Sequence, residues 1–122
     1  MLFRSIPPPL RFTVKWDPDH SWSGNSGDHF FGQSISQLAA LARDNNYALV
    51  DLHYNNAFLA PSELDIAPSL TAEEAFERGY ASREHFYWNE DVESALAMNA
   101  AEAEAFFRAL FAPHEGRYEL GR

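Results

Sequence analysis

Asp17, Asp19, His20, Asp28 and His29 crowd into one segment, DPDHSWSGNSGDH (17–29). Carboxylates and imidazoles in one loop offer two chemistries. They can ligate a divalent cation through oxygen and nitrogen, or one of them can take a proton as a general base. The spacing matches no HExxH helix, no calcium-loop pattern and no Cys/His framework, and Asp-Pro-Asp is ordinary turn chemistry. The segment therefore reads as a solvated, acidic turn, and no metal is assigned to it. Serines 21, 23, 26 and 34 lie nearby without a G-x-S-x-G elbow, so no hydrolytic triad is expected. Trp16 and Trp22 flank the acidic residues. They can wall an apolar substrate or anchor the loop on a core.

The elements that must position this loop follow from periodicity. In RFTVKW (11–16), Phe12, Val14 and Trp16 alternate with polar residues, the pattern of a half-buried strand. The prolines of SIPPPL before it make an extended connector. Ser34 and Gln37 form a Ser-x-x-Gln capping box, opening a helix whose apolar stripe is Ile35, Leu38, Leu41 and Ala42. That helix should stop at Asn45-Asn46, since asparagine tolerates a left-handed C-cap. YALVDLHY (47–54) and NAFLA (56–60) read as two strands, with Asn55 and Asn56 supplying the positive φ of a tight turn. His53, Tyr54, Asn55 and Asn56 at this hairpin read as a solvent-exposed turn. Thr71 and Glu74 make a second capping box for a helix that Gly79 should end. Residues 91–98 and 100–111 look helical, with Asn99 as a cap and Ala103, Phe106, Phe107, Leu110 and Phe111 as the inward face. Pro113 and Gly116 close that helix. The aromatic-then-acidic run HFYWNED (85–91) reads as a core-facing cluster or a docking patch for a protein partner.

Composition narrows the function. The chain is 46% hydrophobic, ample for a core, and carries a net charge of −9 with no lysine or arginine cluster. Nucleic acid and anionic membrane surfaces are therefore not expected partners. The absence of cysteine removes disulfides, thiolate metal sites and cysteine nucleophiles. No apolar run is long enough for a transmembrane helix, and the N-terminus has no signal-peptide core. A cytoplasmic location suits these features.

Three segments together resemble the C-terminal half of class I S-adenosylmethionine-dependent methyltransferases of the FkbM-like kind. They are IPPPLRFTVKWDPDHSW (6–22), FGQSISQLAALARDNNYALV (31–50) and NNAFLAPSEL (55–64). The resemblance lies in their order and spacing and covers about half of the chain. It departs at Asn46, where the family has glycine, at Gln33, and at Leu59-Ala60. Residues 65–122 show no clear match.

The resemblance implies a partial α/β fold: the C-terminal edge of a Rossmann-like sheet with an antiparallel β-hairpin, followed by a helical tail. Residues 1–64 would be the end of an α/β domain truncated at its N-terminus, and 65–122 a helical tail packing on it. The resemblance also implies methyl transfer from S-adenosylmethionine to a small-molecule acceptor in the full-length protein. Asp17 or His20 would be the base, and Trp16, Trp22 and Asn56 would lie on the substrate side. The family's glycine-rich cofactor turn is missing here; Gly24-Asn-Ser-Gly27 follows no strand-to-helix turn. This chain alone is thus expected to bind no cofactor and to be inactive. The competing reading is a complete small acidic α+β interaction domain without catalysis.

Overall fold

Phe12 is the pivot of the first strand. The computed structural model describes residues 5–19, 29–84 and 90–122. In it, β1 (Arg11–Val14) buries Phe12 completely while Arg11 stays exposed. The alternation fails at Trp16, which lies beyond the strand and is 87% exposed. The partner of β1 is β4 (Tyr118–Gly121), antiparallel from Arg11↔Gly121 to Val14↔Tyr118. The segment expected to be a helical tail therefore ends in a strand. Its sequence, YELG, is too short to show a period; pairing with β1 makes it a strand.

The other sheet is a hairpin of β2 (Tyr47–His53) and β3 (Asn56–Pro61). A register shift at Val50, between Leu49 and Asp51, interrupts the ladder. It lets Leu49 and Leu52, three positions apart, both reach the same core, which an unbroken period of two forbids. The turn differs from expectation. Positive φ falls on Tyr54 (+54°), not on the asparagines. Tertiary contacts hold this bulky residue there. Its N–H donates to the Gly79 carbonyl at 2.9 Å, its hydroxyl donates to the Glu84 carbonyl at 3.0 Å, and the Arg83 guanidinium lies 5.5 Å from its ring centre.

Helix α1 (Ile35–Asp44) starts and stops where its caps sit. The Ser34 hydroxyl accepts from Gln37 N–H at 3.3 Å, and Asn46 takes φ +61° beyond the C-cap Asn45. The reciprocal arm of the expected box is absent: the Gln37 side chain accepts from Arg11 Nε at 2.9 Å instead. The Ser34 N–H is satisfied by the Phe12 carbonyl at 2.9 Å. Of the expected stripe, Ile35 and Ala42 are buried but Leu41 is 43% exposed.

Helix α2 (Ala72–Phe76) has both arms of the Thr71–Glu74 box. Gly79 does not end it. The chain continues through a wide π-type turn, Glu77–Ala81. Glycine is needed there because a Cβ would collide with the Leu52 carbonyl and lie 2.6 Å from the Leu52 Cβ. Further along come α3 (Glu90–Glu93), a short 3₁₀ segment Ser94–Ala97, and α4 (Ala100–Leu110), whose Asn99–Glu102 capping box is complete.

Two apolar clusters result. One joins Ile6, Leu10, Phe12 and Phe30 to Val92, Ala103, Phe107, Phe111 and Tyr118. The other joins Ile35, Leu49 and Leu52 to Ala75, Phe76 and Tyr80. Each draws side chains from both sides of Leu64. The buried polar residues among those described are Ser5 and Ser34. The Ser34 hydroxyl accepts from Phe12 N–H at 2.9 Å and donates to the Leu10 carbonyl at 2.8 Å, tying β1 to α1. Ser5 Oγ lies 3.1 Å from the Tyr80 hydroxyl, linking the N-terminal connector to the π-type turn. No described helix is long and apolar enough to cross a membrane.

The C-terminal strand is clamped from α4. Arg108 donates to Glu104 at 2.8 Å and to the Leu120 carbonyl at 2.7 Å, and Arg122 meets the same Glu104 at 3.3 Å. The Arg108 hydrogen bond, aided by the charges of Arg108 and Arg122, holds the Glu104 carboxyl below its ordinary range. A depressed carboxyl stabilises the fold above its unfolded pKa and loses that contribution as pH falls through the folded value. Acid unfolding of Arg108→Met, followed by circular dichroism, should therefore lose part of the pH dependence below about pH 4.3 seen in the parent chain. Ser34→Ala should cost about 3 kcal/mol in urea denaturation, because it strips a buried N–H and a buried carbonyl as well as a cap. Thr71→Ala, at an exposed cap, should cost only about 1 kcal/mol.

Candidate functional site

β1 delivers Trp16 and Asp17 to the surface just past its end. Lys15 N–H donates to the Arg117 carbonyl at 2.9 Å, so the chain leaving β1 runs beside the chain entering β4. Asp17 closes an Asx turn, accepting from Asp19 N–H at 2.9 Å through Oδ1. Its Oδ2 faces Arg117 Nη2 at 3.9 Å. Oδ1 thus holds the local turn, while Oδ2 makes only a long, exposed ion pair. Trp16 is too exposed to anchor the loop on either core.

The residue that faces Asp17, Arg117, comes from the C-terminal end, together with His114 beside it. A 3₁₀ turn, Ala112–His114, presents His114, and Gly116 at φ +83° swings the chain back into β4. The His114 ring stacks on Phe30 with centroids 3.9 Å apart and planes 8° apart. The Arg117 guanidinium lies 5.6 Å from the same Phe30 ring centre, and its Nη1 is 3.3 Å from His114 Nδ1. A guanidinium only donates, so in this contact His114 Nδ1 can serve only as an acceptor. His29, at φ +56°, places Nε2 3.0 Å from Asp91 Oδ2.

The result is an imidazole and a guanidinium on the Phe30 ring, with the Asp17 carboxylate beside the guanidinium. Chemically it fixes ionic groups on an apolar support; it does not align a nucleophile with a base. Among the described residues no three His, Asp or Glu side chains gather as a metal site would require. Of the residues singled out from sequence, Trp16 and Asp17 are together at the end of β1. Asn56 begins β3 in the other sheet. His20, Trp22 and Asp28 lie outside the described residues, as does most of the aromatic run 85–91, of which only Glu90 and Asp91 fall within. His114 and Arg117 escaped the sequence reading. They are lone polar residues in APHEGR, and nothing near them in sequence shows that Phe30 and Asp17 will meet them.

A concavity of about 960 Å³ runs elsewhere, between α1, the hairpin and segment 65–73. Arg11, Ser36, Arg43, Ala60, Asp65 and Leu70 are among its lining residues, whereas Trp16, Asp17 and Asn56 are not. Leu70 closes one side by donating its N–H to the Leu49 carbonyl at 2.7 Å.

Comparison with known proteins returns no match: neither a family model, nor a curated protein, nor a solved structure resembles the chain significantly.

If Arg117 is the keystone of this cluster, Arg117→Ala should lower stability by about 1–2 kcal/mol through loss of the stacked cation and its charge-assisted contacts. Asp17→Asn should cost under about 0.5 kcal/mol, since an ion pair at that distance and exposure contributes little. Urea titrations of both variants beside the parent chain measure the contrast.

Proposed function

We propose that this chain is the C-terminal portion of a protein similar to S-adenosylmethionine-dependent methyltransferases. The observation that carries the reading is the unit α1–β2–β3. A capped helix, a strand and an antiparallel return strand occur at the residues that bear the resemblance, in the same order. The outer side of β3 supports it, because no further strand pairs there among the described residues. A larger sheet can continue from that edge.

In the full-length protein the methyl group would pass from the sulfonium of S-adenosylmethionine to an oxygen or nitrogen of a small molecule. The new bond forms as the sulfur–carbon bond breaks, and S-adenosylhomocysteine leaves. Positioning supplies much of the acceleration in such a displacement, with a base taking the acceptor's proton. Asp17 or His20 is the proposed base, with Trp16, Trp22 and Asn56 towards the acceptor. The cofactor itself would be held by a glycine-rich turn outside these 122 residues.

A second reading, an acidic interaction domain without catalysis, draws on the same open edge of β3 and on the groove beside α1.

Calorimetry separates them. S-adenosylmethionine and S-adenosylhomocysteine titrated into the 122-residue chain should give no heat of binding. A chain extended through the coding sequence before Met1, and carrying a glycine-rich strand-to-helix turn, should bind both. An in-frame stop close upstream, or an extended chain that binds neither, would refute the methyltransferase reading.

A further inference from the structure

The groove beside α1, of about 960 Å³, has the size of a small-molecule site. One end of it gathers polar groups that the fold leaves unused. Arg11 spends its Nε on the Gln37 side chain at 2.9 Å, and its two terminal nitrogens have no partner among the described residues. That bond sets the guanidinium against the first turn of α1. Ser36, in the same turn, has a buried hydroxyl oxygen without a hydrogen-bond partner. Such a group costs free energy until something bonds it. No acidic side chain occupies this first turn, so the positive end of the helix is not compensated there.

Beyond that end the groove turns apolar. Its α1 wall continues with Ala39 and Ala40, small residues that let a ligand lie close. Leu49, Ala60 and Leu70 line it from the hairpin and the opposite segment, and Ile66 in its lining is 70% exposed. Ser36 and Arg43 bound the α1 wall and stand about 10 Å apart along the helix. Arg43 is not a second anchor: its side chain is 78% exposed and faces Asp44 at 3.8 Å. Two carboxylates in the lining, Asp65 and Glu73, disfavour a second negative charge on a ligand.

We propose that the groove binds a medium-chain aliphatic monocarboxylate. The carboxylate takes the two free nitrogens of Arg11 as a bidentate pair, and a turn about the Ser36 Cα–Cβ bond brings that hydroxyl to the same group. The chain lies along the alanines and beside Ile66, where burial favours an apolar tail. The net charge of −9 opposes an anion at a distance, but salt screens that repulsion beyond about 8 Å, and the contact with Arg11 decides. The inference stands apart from the methyltransferase reading, because Trp16, Asp17 and Asn56 do not line this groove. It gives the groove a small-molecule occupant in place of a protein.

Sodium octanoate titrated calorimetrically into the 122-residue chain should bind saturably, one per chain. 1-Octanol and octylammonium, which share the tail, should bind at least tenfold more weakly, as should acetate, which lacks it. Arg11→Met should weaken octanoate binding at least tenfold, about 1.4 kcal/mol. Ser36→Ala removes an orphaned hydroxyl, so it should fold at least as stably as the parent chain, yet bind octanoate about threefold more weakly or worse. Arg43→Met should bind like the parent. Absence of saturable octanoate binding overturns the proposal, as does equal binding of octanol or octylammonium. Undiminished binding by folded Arg11→Met, or by Ser36→Ala, overturns it as well.

Discussion

One hydroxyl holds the two halves of this fold in register. Ser34 is completely buried, and its oxygen serves the Phe12 N–H, the Leu10 carbonyl and the first turn of α1 together. Phe12 and Leu10 belong to the cluster built with α4 and β4, whereas α1 packs on the hairpin. A buried hydroxyl costs free energy unless its partners are in place. Its bonds therefore fix the direction in which α1 leaves β1. The Ser5–Tyr80 contact repeats the device at the other end of the seam. Apolar packing drives each cluster, but it is non-directional. These two hydroxyls make the relation between the clusters specific.

The polar cluster of Asp17, His114 and Arg117 depends on the same seam. β1 is held between β4 on one side and the 32–34 segment on the other, where Thr13 bridges Gln33. That double pairing brings Phe30 beneath Arg117 and His114. Long polar side chains are costly to order one at a time. Here the aromatic ring supplies a flat support, so the guanidinium and imidazole are ordered by packing rather than by charge pairing alone. A catalytic role for Asp17 must contend with this arrangement, because the carboxylate already shapes its own turn.

The hairpin shows a different economy. Its bulge at Val50 turns two leucines onto one core face, and the strained Tyr54 is locked by Gly79 and Glu84. All of that investment lies on the β2 side. On β3, Ala57 packs against that core and Ala60 is buried, whereas Phe58 and Leu59 stay exposed. A sheet that continued past β3 would answer this asymmetry.

Local chemistry was readable from the sequence wherever a few neighbouring residues decide the outcome. The helix starts at Ser34, Thr71 and Asn99, the left-handed Asn46 and the inward face of α4 all follow from caps and a 3.6-residue period acting within one or two turns. Long-range competition decided the rest. Gln37 abandoned its box because Arg11 stands in reach, and Gly79 serves the close approach of Leu52 rather than a helix end. YELG became a strand because β1 offers it a partner. Tyr54 took the positive φ that two asparagines could have taken, since its side chain had contacts to gain from it. His114 and Arg117 gained their meaning from Phe30, more than eighty residues away. Short-range rules act through the backbone a residue shares with its neighbours, and sequence displays those neighbours. Pairing, bulges and ring stacking depend on which distant surfaces meet, and only the folded chain decides that.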